Sequence, residues 1–196
     1  MFANRFTAVI DACVLCSPLK RNLILSLAEA ELFRVRWSDE IMIETEKAIE
    51  IILSKKDCND AADRATQARQ AMNEAFAEAT VTDYDHLGDG LGNLPDDGDR
   101  HVIAAAIKSK AEVIVTENLK DFPKRLLAKY GIEAKSSDEF IADAIDLSPS
   151  LAIAAIKRMR LRLQRPDKTP EVLLLDLEKT GLTLSADQLR DSVQLI

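Results

Sequence analysis

The stretch from Thr7 to Cys16 opens as a short apolar run, Ala8-Val9-Ile10, and that run ends on an acid, Asp11. In an open α/β sheet ligands bind just beyond the carboxyl ends of the parallel strands, so a carboxylate at such an end is placed for chemistry. Capping the next helix is the other reading of Asp11 taken alone. More acids stand where turns or helix starts carry them toward the same edge. Glu44 lies one turn beyond Glu40, Asp99 closes an acid- and glycine-rich loop, and the loop Glu117 to Asp121 follows a second apolar run, Val113 to Thr116. Carboxylates gathered at one edge repel one another, and hard divalent cations with oxygen ligands are the usual compensation. One or two Mg²⁺ or Mn²⁺ ions in such a set would polarise a phosphodiester, deprotonate an attacking water and steady the leaving oxygen, which is the two-metal logic of nucleases. A merely acidic, solvated surface accounts for Asp83 to Asp97. It does not account for an acid at the end of a buried strand.

The elements that must position these acids alternate in type. Ser17-Pro18 fits a helix start, and Leu23, Leu27 and Ala30 follow at helical spacing. Phe33 to Trp37 alternates apolar with basic, as a strand with one wet face does. Ser38 caps a helix from Asp39 to Leu53 whose acids fall early, where the macrodipole favours them. Asp57 to Ala79 reads as one long amphipathic helix with Met72 and Phe76 on its buried side. After a brief strand and the acidic loop come an apolar helix, His101 to Lys108, and a buried strand, Val113 to Thr116. Pro123 opens a short helix that Gly131 ends, Ile132 to Ala134 gives a last strand, and a helix runs from Ser137 to about Asp146.

Beyond Ser148-Pro149 the strand pattern stops. A basic helix, Leu151 to Arg165, a helix from Pro170 to Thr180 ended by Gly181, and a last helix capped by Ser185 make up an appendage. The expected architecture is a three-layer α/β domain with a parallel central sheet over residues 1–147 and a helical C-terminal extension over 148–196.

Bulk composition bounds the function. The chain has 196 residues, 47% of them hydrophobic, enough for a packed core. A net charge of −7 argues against holding nucleic acid by overall charge, since backbone binding relies on Lys and Arg neutralising phosphates, so any such contact must be local. No run is long and apolar enough to span a bilayer and no signal pattern opens the chain, so the expected compartment is the cytosol. Three cysteines make no disulfide framework. Cys13 and Cys16 form a C-x-x-C after a strand, but with apolar Val14-Leu15 between them and no second pair for zinc, packing is their expected role. His101 reads as a helix-start histidine near the acids.

Four ordered segments carry a resemblance: Val9-Ile10-Asp11-Ala12; Trp37-Ser38-Asp39-Glu40-Ile41 leading to Glu44; Asp99-Arg100-His101-Val102 with Ala104-Ala105-Ala106; and Val115-Thr116-Glu117-Asn118-Leu119-Lys120-Asp121-Phe122-Pro123. From about Thr7 to Asp146 they resemble the successive signatures of the PIN domain, in the branch that contains the VapC toxins of toxin–antitoxin pairs. The resemblance implies a metal-dependent endoribonuclease, using Mg²⁺ or Mn²⁺, whose acids map to Asp11, Glu44 and Asp99. It puts a fourth group in the Asn118 to Asp121 loop, where many members carry an aspartate two residues after the threonine. Here that place is Asn118, and an aspartate follows at Asp121, so both are candidates. It further implies an RNA substrate and a small antitoxin partner, and allows a homodimer.

Two alternatives remain. One is an inactive PIN-like module that works through RNA or protein contact. The other is a dehalogenase-type phosphatase, similar in its strand-end Asp but with Cys13 where that family has a second Asp. The basic helix is either a solvated face or a substrate rail. On one face of it Lys157, Arg158, Arg162 and Arg165 would contact RNA phosphates, while Arg160 lies apart. The same face would equally dock an acidic partner.

Overall fold

The computed structural model describes residues 6–163 and 167–196; Arg165, one of the cations expected to meet RNA, lies outside them. Strands β1 (Thr7–Ile10), β2 (Arg34–Ser38), β3 (Thr80–Val81), β4 (Val113–Val115) and β5 (Glu133–Lys135) form one sheet in the order β3-β2-β1-β4-β5, every pairing parallel. The helices are α1 (Ala12–Leu15), α2 (Pro18–Glu29), α3 (Asp39–Ser54), α4 (Ala61–Ala75), α5 (Asp85–Gly88), α6 (Arg100–Ser109), α7 (Lys124–Leu127), α8 (Ser137–Leu147), α9 (Pro149–Arg162), α10 (Pro170–Lys179) and α11 (Thr183–Arg190). A parallel central sheet flanked by helices, with further helices at the C-terminal end, is the α/β architecture the sequence leads one to expect. Packing divides the chain into two units, one of Phe6–Ser17 with Arg34–Lys135, the other of Pro18–Phe33 with Ser136–Ile196.

The first unit holds the sheet. From the central strand β1 the chain works outward to β2 and β3 on one side and to β4 and β5 on the other, so the order reverses at β1 and β4. That reversal is where an open parallel sheet leaves a crevice past its carboxyl ends. Register sets Ile10 opposite Val115, and the Asp11 amide donates to the Val115 carbonyl at 3.0 Å, so Asp11 and Thr116 leave the sheet together. Helix α6 packs on β1, β2, β3 and β4 through buried Val102, Ile103, Ala104, Ala105 and Ala106. Its alanines have little side chain to hold the helix away from the strands, and its N-terminus carries Asp99.

The long helix expected over 57–79 is Ala61–Ala75. Asp57 takes a left-handed φ of 57° after α3, which breaks helical continuity. Phe76 leaves the helix at the other end and its ring meets Trp37 edge-on, with centroids 6.0 Å apart. Ser38 caps α3 as expected, its Oγ accepting from the Ile41 amide at 3.2 Å.

The second unit is helical. Helix α2 packs against α8 and α9, and α11 against α8 and α10. Leu23, Leu27, Phe140, Ile141, Ile156, Leu173, Leu177 and Leu189 are buried, and Phe33 and Phe140 meet as a T-shaped pair at 4.8 Å. Helix α8 opens on a capping box in which Ser136 and Glu139 serve each other's backbone. Ser185 does not cap the last helix: α11 starts at Thr183, and Ser185 lies inside its first turn. The cap comes from Asp138 on α8, whose carboxylate accepts from the amides of Leu184 and Ser185, both at 2.9 Å, and from Ser185 Oγ at 2.8 Å. Those amides are orphan donors at any helix start, and a buried carboxylate satisfies two of them at once.

Candidate active site

Asp11 is 4% exposed and directly follows β1. It stands at the N-cap of α1 but makes no side-chain cap bond. Its Oδ2 accepts instead from Thr116 Oγ1 at 2.7 Å and from Cys13 Sγ at 3.1 Å. Thr116 Oγ1 accepts from the Asn118 amide at 3.0 Å, and Cys13 Sγ from the Glu117 amide at 3.3 Å. The loop after β4 is thereby fastened to the same carboxylate. Burial, then the charge of Asp11, pushes the Cys13 thiol up to about 12, so it stays protonated and donates.

Asp99 comes from the other side of the chain's order, at the N-cap of α6 and the end of a 3₁₀ turn, Asp97–Asp99. Arg100 anchors that turn: Nη1 donates to the Gly88 carbonyl at 2.8 Å, and Nη2 to the Gly92 carbonyl at 2.9 Å and to Asp97. Burial first, then the charges of Asp11, Asp96 and Asp121, raise the Asp99 carboxyl to about 6, with His101 acting in the opposite sense. Asp121 closes the 3₁₀ turn Leu119–Asp121 and is half-buried. Asp99 thus feels the charges of both Asp11 and Asp121.

Glu44 is tied to this group less directly. On α3 its Oε1 lies 3.2 Å from His101 Nε2, while His101 Nδ1 lies 3.6 Å from Glu40 Oε2. Glu40, Glu44, Tyr84, Arg100 and His101 help line a cavity of about 380 Å³. Asn118 joins the network by its backbone amide, and the residue is exposed.

Among the described residues, no three His, Cys, Asp or Glu side chains are drawn into a set that would ligate one ion as placed. The acids nonetheless fit a hard cation. Asp99 Oδ2 is buried with no hydrogen-bond partner, which is costly for a carboxylate unless a positive group meets it. Every candidate donor is an oxygen, as Mg²⁺ and Mn²⁺ prefer.

A family model described as "PIN domain" matches residues 7–120, more than half of the chain. The chain belongs to the PIN-domain family. The PIN match spans the positions of Asp11, Glu44, Asp99 and Asn118 and stops one residue short of Asp121. A second model, described as "VapC50 C-terminal domain", matches residues 137–191, from α8 into the residue after α11. A curated relative named "Putative ribonuclease VapC50", from Mycobacterium tuberculosis (strain ATCC 25618 / H37Rv), is 46% identical over 110 residues, which is 56% of this chain. The aligned part spans 62% of that relative's length. No solved structure gives a significant match.

Within this PIN domain, three contributors lie outside the pattern of acids. Thr116 is one, a hydroxyl at the end of a strand beside one that ends in an acid, and that position is the signal that marks it. Cys13 does more than pack, since its thiol bonds Asp11. Tyr84, whose hydroxyl donates to Glu40 Oε2 at 2.9 Å, sits in the acidic loop and carries no sequence signal of its own.

The expected cationic face also changes. Lys157 and Arg158 on α9 are exposed, but Arg162 forms a two-pronged pair with Glu29, at 2.8 and 2.9 Å. Arg160 is turned elsewhere and donates to the Lys168 carbonyl at 2.7 Å.

Proposed function

We propose that the protein is a divalent-metal-dependent endoribonuclease of the VapC kind, a toxin held in check by a small antitoxin protein. The observation that carries this reading is the buried, unpartnered Oδ2 of Asp99 beside the charges of Asp11 and Asp121. Membership of the PIN family and the relative named as a ribonuclease support RNA as substrate. The PIN-domain match and the relative's VapC name support, in general terms, an antitoxin partner.

Asp11, Asp99, Asp121 and Glu44 would hold the ion, Mg²⁺ or Mn²⁺, with the Asn118 carbonyl as a further oxygen. Such an ion supplies charge that polarises the phosphodiester and makes water a better nucleophile. The residues of the chain do the placing. Thr116 and Cys13 both bond Oδ2 of Asp11, so Oδ1 takes neither bond and the carboxylate is held in one orientation. Arg100 fixes the turn that presents Asp99. Lys157, Arg158, Arg162 and Arg165 are assigned to RNA phosphates, which would locally offset an otherwise acidic surface.

The deciding experiment is cleavage of single-stranded RNA by the purified protein with Mn²⁺, with Mg²⁺ and with chelator. Cleavage that appears with either ion, stops with chelator and is lost in Asp11→Asn is the expected result. Cleavage that persists in chelator, or none with either ion, would overturn the reading.

A further inference from the structure

We infer that His101 is a positioning residue that holds Glu44 toward the cation, and that Glu40 and Tyr84 hold His101 in turn; the inference rests on the metal-dependent reading above. His101 is the second residue of α6 and its side chain is 15% exposed. Both ring nitrogens are buried, and neither makes a well-aligned hydrogen bond. Each nonetheless faces a carboxylate, Nε2 toward Glu44 and Nδ1 toward Glu40. Tyr84 donates to the same Glu40 oxygen that His101 approaches. Tyr84 is itself fixed, packed with Val81 against Ala104 and Ala105, one turn along α6 from His101.

Glu44 needs such a hold more than Asp11 does. Its side chain is 48% exposed on a long, rotatable stem, whereas Asp11 is buried and bonded by two side chains. A ligand carboxylate that wanders among rotamers must be ordered each time it binds, at a cost in affinity. Outer partners that orient metal ligands are worth roughly 10- to 100-fold in metal affinity. Seated between two glutamates, the imidazole limits where the Glu44 carboxylate can settle, from Nε2 at 3.2 Å, while Glu40 flanks its Nδ1 at 3.6 Å.

Titration calorimetry of Mn²⁺ into the metal-free, full-length protein tests this without relying on catalysis. His101→Ala should raise the Kd roughly 10- to 100-fold. His101→Gln, whose amide nitrogen falls near the Nε2 position, should recover most of the affinity; His101→Asn, whose nitrogen falls near Nδ1, should not. A Kd for His101→Ala within about threefold of wild type, or equal rescue by Gln and Asn, overturns the inference. If circular dichroism shows the His101 variants unfolded, Glu40→Gln decides, since Glu40 is 51% exposed and its loss spares the core. A severalfold weaker Kd supports the chain of contacts and an unchanged Kd removes it. Wild-type protein that binds Mn²⁺ yet cuts no RNA overturns the nuclease reading, while the comparison of affinities still judges His101.

Discussion

Thr116 Oγ1 donates to Asp11 Oδ2 across 2.7 Å, joining the ends of two neighbouring strands from residues 105 positions apart. The bond exists because β1 and β4 are adjacent where the sheet order reverses, and it turns a crevice into a site with a fixed carboxylate. Thr116→Val keeps the shape and removes the donor. It should destabilise the protein by about 1–3 kcal/mol, because a buried charged acceptor loses a partner. Mn²⁺-supported cleavage should fall roughly 10- to 100-fold. Urea unfolding and single-turnover cleavage measure the two effects, and no change in either would leave Cys13 as the residue that orients Asp11.

Asp11→Asn should abolish cleavage without loss of fold. The amide oxygen still accepts from Thr116, while the charge that repels Asp99 is gone, so melting of the metal-free protein should hold or rise. Retained cleavage would remove Asp11 from the catalytic set.

The Asp99 carboxyl stands near 6, above its ordinary 3.8. A raised carboxyl binds its proton more tightly in the folded chain than in the unfolded one. The group therefore costs stability above about pH 6, and the cost is relieved as pH falls from about 6 toward about 4. In chelator, Asp99→Asn should melt above wild type at pH 7, and the gap should close over that window. The side chain is partly exposed, so solvent screening keeps the difference to about 1 kcal/mol. A gap that widens on acidification would contradict the assignment.

Asp138→Ala strips the start of α11 of its acceptor and leaves the Leu184 and Ser185 amides unpaired. A loss of about 2–4 kcal/mol is expected, larger than an ordinary cap because the carboxylate serves two amides and two hydroxyls. Hydrogen exchange should show α11 losing protection first. Protection lost uniformly along the chain would argue against a local cap.

Of the cations assigned to RNA, Lys157 and Arg158 should matter most, because Arg162 must first give up Glu29. Changing Lys157 and Arg158 together to Gln should flatten the log–log dependence of RNA affinity on salt by about 1.4, at about 0.7 per phosphate contact for single strands. Arg162→Gln alone should flatten it less. Fluorescence anisotropy over a salt series reads both; an unchanged slope in the double variant would take α9 off the RNA surface.

The sequence by itself determined the parallel sheet and several of the helix boundaries, and it pointed to the acids at strand ends and turns. Strand period, the acid that ends β1, Ser38 before α3 and Gly131 after the short helix are signals carried by residues within a turn of one another, so they can be read along the chain. Only the tertiary structure decided which polar group meets which. It gave Asp11 the hydroxyl of Thr116, gave α11 the carboxylate of Asp138 in place of Ser185, set His101 against Glu44, and spent Arg162 on Glu29. Each of these pairings joins residues at least 45 positions apart, separations at which local propensity says nothing. A hydrogen bond demands approach to about 3 Å, and which groups come that close is fixed by strand order and helix packing.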